Sequence, residues 1–78
     1  MKRCPCCNKL TICDDDEVIV DICPVCFWQY DATGQQFPNK RIGPNKVSLC
    51  EARKNYHKFG ASRFEMLPYV RSARPDEQ

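Results

Sequence analysis

Seven of the 78 residues are cysteines, and they are not scattered evenly. Cys4-Pro5-Cys6-Cys7 and Cys23-Pro24-Val25-Cys26 each contain a C-x2-C pair, with fifteen residues between Cys7 and Cys23. Two residues between cysteines allow a tight turn to aim both sulfurs at one ion, with backbone N–H groups free to donate to the thiolates. Proline after the first cysteine fixes φ and stiffens each turn, which lowers the entropy lost when the site assembles. Asn8 follows the first pair, where such a turn takes a left-handed backbone that asparagine tolerates. Cys4, Cys7, Cys23 and Cys26 together fill four tetrahedral positions, and a soft four-sulfur set suits Zn²⁺. A centre whose positions are all taken by protein is structural, because it leaves no place for a reacting water. The competing readings are a redox C-x2-C pair, disulfides, an iron–sulfur site, and a register that uses Cys6 in place of Cys7.

The other reactive residues read more plainly. Cys13 suits a small apolar filler at a strand end, and Cys50 an ordinary, partly exposed helical thiol. His57 lies two turns beyond Cys50, too far for the pair to chelate one ion, and reads as a surface histidine. Asp14-Asp15-Asp16-Glu17 lacks the glycine and spaced oxygens of a calcium loop and reads as a solvated turn. With one histidine, no phosphate loop and no nucleophile–base pair, the chain does not read as an enzyme.

The elements that must position the cysteines can be read from periodicity. Lys9–Ile12 and Val18–Ile22 alternate, which predicts two strands paired as a hairpin across the acidic turn, with Leu10, Ile12, Val18, Val20 and Ile22 facing inward. Asp31 to Lys46, with Gly34, Pro38, Gly43 and Pro44, reads as a long loop. Ser48-Leu49-Cys50-Glu51 is a capping box and Gly60 a left-handed stop, so an amphipathic helix of about three turns lies between them. Its stripe of Leu49, Ala52, Tyr56 and Phe59 is expected to pack on the hairpin face, with Lys54 and Lys58 pointing away. Phe64, Met66, Leu67, Tyr69 and Val70 are expected to return to the core without a regular helix, since Pro68 interrupts one.

So short a chain has room for one core and often needs a metal, disulfides or a partner to be stable. A single domain is expected over residues 1–70, followed by a loose tail at 71–78. Residues 1–31 carry three basic and six acidic side chains, and residues 32–78 nine basic and four acidic. A zinc bound by four thiolates carries −2, which brings the formal net charge of +2 to about zero and weakens any general attraction to nucleic acid. Met1-Lys2-Arg3 runs directly into the first cysteine turn, and the apolar runs are too short to span a bilayer. Reduced thiols in an odd number then predict a cytoplasmic protein that does not engage membranes.

Cys-Pro-Cys-Cys near the start, Ile22-Cys23-Pro24-Val25-Cys26-Phe27-Trp28, Ser48-Leu49 with Glu51-Ala52-Arg53, Phe59-Gly60-Ala61-Ser62, and Val70-Arg71 before Arg74-Pro75-Asp76-Glu77 follow one another in an order that resembles the bacterial cysteine-rich CPCC family. The resemblance implies a zinc-ribbon-like site on Cys4, Cys7, Cys23 and Cys26, and no particular activity. The chain departs from the family pattern at Asn8, where glycine is common, at Cys50, where asparagine is common, and at Gln29-Tyr30, where acidic residues are common.

The expected fold is therefore a small metal-stabilised α+β domain, a zinc-ribbon-like hairpin with two cysteine turns packed against one C-terminal helix. The expected role is a protein-binding or regulatory zinc module. Trp28 and Tyr30 are candidate anchors for a partner as well as candidates for the core, and Lys54 and Lys58 are candidate contacts. The alternative is a nucleic-acid-binding ribbon that uses the basic loop and helix.

Overall fold

A computed structural model describes residues 1–13 and 21–78. Strand β1 (Lys2–Arg3) runs antiparallel to β2 (Leu10–Ile12), and the first cysteine turn joins them. Lys2 opposes Ile12 and Arg3 opposes Leu10, so two steps on β2 match one on β1 and Thr11 is the bulged residue. The bulge breaks alternation, and Thr11 and Ile12 are both buried.

This pairing differs from the expected one. Most of Val18–Ile22 lies outside the described residues. Its described end does not behave as the inner face of a long strand: Ile22 is 40% exposed and bridges Gln29 across the second cysteine turn. The Tyr30 N–H donates to the Asp21 carbonyl at 2.8 Å alongside it. Each cysteine turn thus closes its own short antiparallel ladder. The Cys13 N–H donates to the Asp21 carboxylate at 2.6 Å, which ties the two ladders together.

The loop from Asp31 to Lys46 contains one unexpected short helix, α1 (Ala32–Gln36). Behind it, Gly43 takes φ +83°, and a side chain there or at Gly34 would collide with the Asp31 carboxylate. Helix α2 (Leu49–Phe59) has the predicted caps. The Glu51 N–H donates to Ser48 Oγ at 3.0 Å, the Ser48 N–H donates to the Glu51 carboxylate at 3.2 Å, and Gly60 closes the helix at φ +94°.

The core is not the surface that the stripe predicts. Leu49 and Ala52 are buried among Cys4, Cys6, Cys7, Ile12, Cys23, Val25, Cys26 and Trp28, with Tyr56 at the margin. Helix α2 therefore packs on the cysteine turns. Phe59 lies outside this cluster and meets Phe64 edge-on at 5.5 Å. The segment after the helix stays at the surface: Phe64–Tyr69 forms a 3₁₀ turn that accommodates Pro68, and it buries none of its residues.

Residues 71–78 are not loose. The Arg71 guanidinium grips Glu77 with bonds of 2.7 and 2.8 Å, Pro75–Glu77 forms a second 3₁₀ turn, and Lys9 Nζ donates to Gln78 Oε1 at 2.8 Å. Ala73 packs against the core. The resulting radius of gyration, 11.4 Å, matches the roughly 11.5 Å of a compact chain this long.

Candidate metal centre

The two cysteine turns are built alike. In the first, the Asn8 N–H donates to the Cys4 carbonyl and the Cys4 N–H to the Lys9 carbonyl, both at 2.8 Å. In the second, Phe27 donates to Cys23 at 2.8 Å and Cys23 to Trp28 at 2.9 Å. Both turns need a left-handed residue after the second cysteine, and Asn8 (φ 63°) and Phe27 (φ 67°) supply it. Asparagine takes that conformation easily, whereas for phenylalanine it is strained by about 1–2 kcal/mol.

The repeated geometry brings four sulfurs together. The Sγ atoms of Cys4, Cys7, Cys23 and Cys26 all lie within 4.8 Å of one another, and all four residues are buried. Cys4 and Cys26 sulfurs are 3.5 Å apart, and those of Cys7 and Cys23 are 3.6 Å apart. Zinc–sulfur bonds of about 2.3 Å in a tetrahedron place sulfurs about 3.8 Å apart, so this spacing fits one ion with little adjustment. Hydrogen bonds from Cys26, Cys4 and Cys7, with a smaller one from Thr11, pull Cys23 below the ordinary thiol range against the effect of burial. Cys26 is pushed up by hydrogen bonding to Cys23 and then to Cys4.

Surrounding elements hold the turns by their free carbonyls. Arg53 Nε on α2 donates to the Pro5 carbonyl at 2.8 Å. The Ser62 N–H donates to the Cys26 carbonyl at 2.8 Å and the Arg71 N–H to the Pro24 carbonyl at 3.1 Å, so the Phe64–Tyr69 turn is strapped over the second cysteine turn at both ends. Tyr56 lies close enough for its hydroxyl to be pushed up, first by burial and then by the negative charge of Cys7.

The chain belongs to the cysteine-rich CPCC family. The family's pattern, described as Cysteine-rich CPCC, matches residues 2–77, both cysteine turns and the docked C-terminal segment included. Among curated proteins and solved structures, nothing matches it.

The remaining sequence candidates separate by burial. Trp28 is 0% exposed and fills the space beneath the cysteine turns, so its ring cannot touch a partner. Tyr30 is half-buried, with Lys2 Nζ 4.1 Å from its ring centre. Lys54 and Lys58 are exposed. Cys6 is buried in the core beside the cluster without joining the four, Cys13 is half-buried, and Cys50 Sγ donates to Asn39 Oδ1 at 3.1 Å. His57 is exposed at the edge of the Tyr56 ring.

Two features escaped the sequence reading. One is Thr11, whose Oγ1 lies 2.9 Å from Cys23 Sγ; an isolated threonine in an alternating stretch gives no sign of a bulge. The other is the pair of exposed rings on the strap. Phe64 is 70% exposed and Tyr69 66% exposed, and they rest on the partly buried Phe59 and Phe27. The apolar count of that segment signals burial, and only tertiary geometry shows otherwise.

Proposed function

We propose that this protein is a zinc-stabilised docking module, in which one Zn²⁺ on Cys4, Cys7, Cys23 and Cys26 holds the fold and the strap above the second turn engages another protein. The observation that carries the reading is the buried four-sulfur cluster at tetrahedral spacing. Bound there, zinc would cross-link the two turns and leave no open position for a substrate, so its role is structural rather than catalytic. The arrangement is then zinc-ribbon-like, with each cysteine pair at the tip of its own ladder.

Support for docking comes from the strap. Exposed aromatic rings held by a rigid frame are the usual material of interface hot spots. Phe27 keeps a ring under Tyr69 at 5.6 Å in a position where glycine or asparagine would relax the backbone. The reduced thiols of such a centre suit a cytoplasmic setting.

The test is photo-crosslinking in lysate from a probe residue at the exposed position 65, with a Phe64→Ser/Tyr69→Ser double variant carrying the same probe as the control. That variant should keep one zinc per chain and an unchanged melting temperature, and a discrete protein adduct seen with the wild type should disappear. Nuclease-sensitive capture that falls steeply with salt and weakens on neutralising Lys54 and Lys58 would replace this reading with nucleic-acid binding.

A further inference from the structure

The bulge in β2 places one hydroxyl against the cluster. Thr11 is 4% exposed, and its Oγ1 is 2.9 Å from Cys23 Sγ. A hydroxyl carries one proton, and among the described residues the only other acceptor in reach is the Lys9 carbonyl at 3.4 Å. That carbonyl already accepts from the Cys4 N–H at 2.8 Å and from the Thr11 N–H at 2.9 Å, which uses both of its lone pairs. The shorter contact and the already occupied carbonyl both direct the proton to sulfur.

We propose that Thr11 is a positioning residue of the metal centre, donating an O–H···S hydrogen bond to Cys23 that offsets the buried charge of the four-thiolate complex. This proposal rests on the four-cysteine reading. A zinc tetrathiolate carries −2 in a site without bulk water, so a donor aimed at one sulfur lowers the cost of holding that charge. Partners of this kind typically change metal affinity by about 10- to 100-fold. The structure supplies the donor through backbone irregularity: without the extra residue on β2, strict alternation would turn either Thr11 or Ile12 outward. The bulge buries both, Ile12 for packing and Thr11 for the sulfur.

Thr11→Val preserves shape and removes the proton; Thr11→Ser preserves the proton. Zinc dissociation constants from competition with a chromophoric chelator should rise about 10- to 100-fold in Thr11→Val and stay within about threefold of wild type in Thr11→Ser. The sulfur-to-cobalt charge-transfer bands of the Co²⁺-substituted proteins should shift in Thr11→Val only, which a merely structural threonine would not cause. In wild-type protein loaded with ¹¹³Cd²⁺, the Thr11 hydroxyl proton should exchange slowly and show scalar coupling to the metal, a reading that needs no variant to fold. Valine affinity within twofold of wild type with unchanged bands, or a Thr11 hydroxyl uncoupled from cadmium, overturns the proposal. Failure of the four-cysteine reading is separate: wild-type protein would then lack the tetrahedral thiolate spectrum altogether.

Discussion

At the scale of single residues, the chemistry was legible wherever side-chain type and spacing carry it alone. The two Cys-Pro-x-Cys runs announced a four-sulfur cluster, and Asn8 announced the left-handed residue that follows the first turn. Phe27 takes the same conformation without any such signal, because phenylalanine is there despite its backbone preference. Trp28 is the clearest residue test. It is fully buried, yet its Nε1–H has no hydrogen-bond partner among the described residues. Trp28→Ala should cost about 3–5 kcal/mol as a buried aromatic truncation. Trp28→Phe removes the orphaned donor, worth about 1–3 kcal/mol, while leaving a modest void, so it should fall within about 1 kcal/mol of wild type. Urea unfolding of the zinc-loaded variants measures both. A phenylalanine variant as damaged as the alanine one would mean that the indole N–H is satisfied in solution.

At the scale of elements, helix α2 was readable because capping chemistry is local. Ser48, Glu51 and Gly60 act on backbone groups within four residues of themselves. Strand pairing was not readable, since a two-residue strand such as Lys2–Arg3 has no periodicity and its register is set by the turn that joins it to β2. The docked C-terminal segment was hidden for a related reason: the Arg71–Glu77 pair and the bond from Arg71 to Pro24 depend on where the chain returns. Ser48→Ala should cost about 1 kcal/mol in unfolding free energy, the usual worth of such a cap. Glu51 adds a pH dependence. The Arg41 guanidinium, at 2.7 and 2.8 Å, and then the Ser48 N–H hold its carboxyl down at about 2, against an ordinary 4.5. A carboxylate depressed in the folded state stabilises it fully above its unfolded pKa and loses that contribution as pH falls towards the folded one. The stability difference between wild type and Glu51→Gln should therefore be constant down to about pH 4.5 and shrink below it. A difference that shrinks between pH 7 and pH 5 would contradict the assigned environment.

At the scale of the whole molecule, the cluster is the hub to which helix α2 and the strap are fastened. Helix α2 reaches the first turn through Arg53 and Pro5; the strap reaches the second through Ser62, Cys26, Arg71 and Pro24; and Leu49, Ala52 and Trp28 pack directly on the cysteines. The sequence suggested a helix on a hairpin face because amphipathic stripes are visible and buried sulfur surface is not, although cysteine packs as a small apolar residue. A core made largely of thiols is held together by whatever holds the thiols. Zinc binding contributes on the order of 10 kcal/mol in small peptides, which is comparable with the whole stability of an ordinary domain. Removing the metal with a chelator under reducing conditions should abolish the cooperative thermal transition. It should also red-shift the emission of Trp28, the only tryptophan, as water reaches its site. Cys23→Ser should reproduce that state even with zinc present, whereas Cys50→Ser, which removes only a bond to Asn39 at the surface, should melt like the wild type. Calorimetry and fluorescence on the same samples decide the matter: a metal-free chain that keeps both a sharp transition and blue-shifted emission would show that the helix, the strap and the tryptophan sustain the fold without the ion.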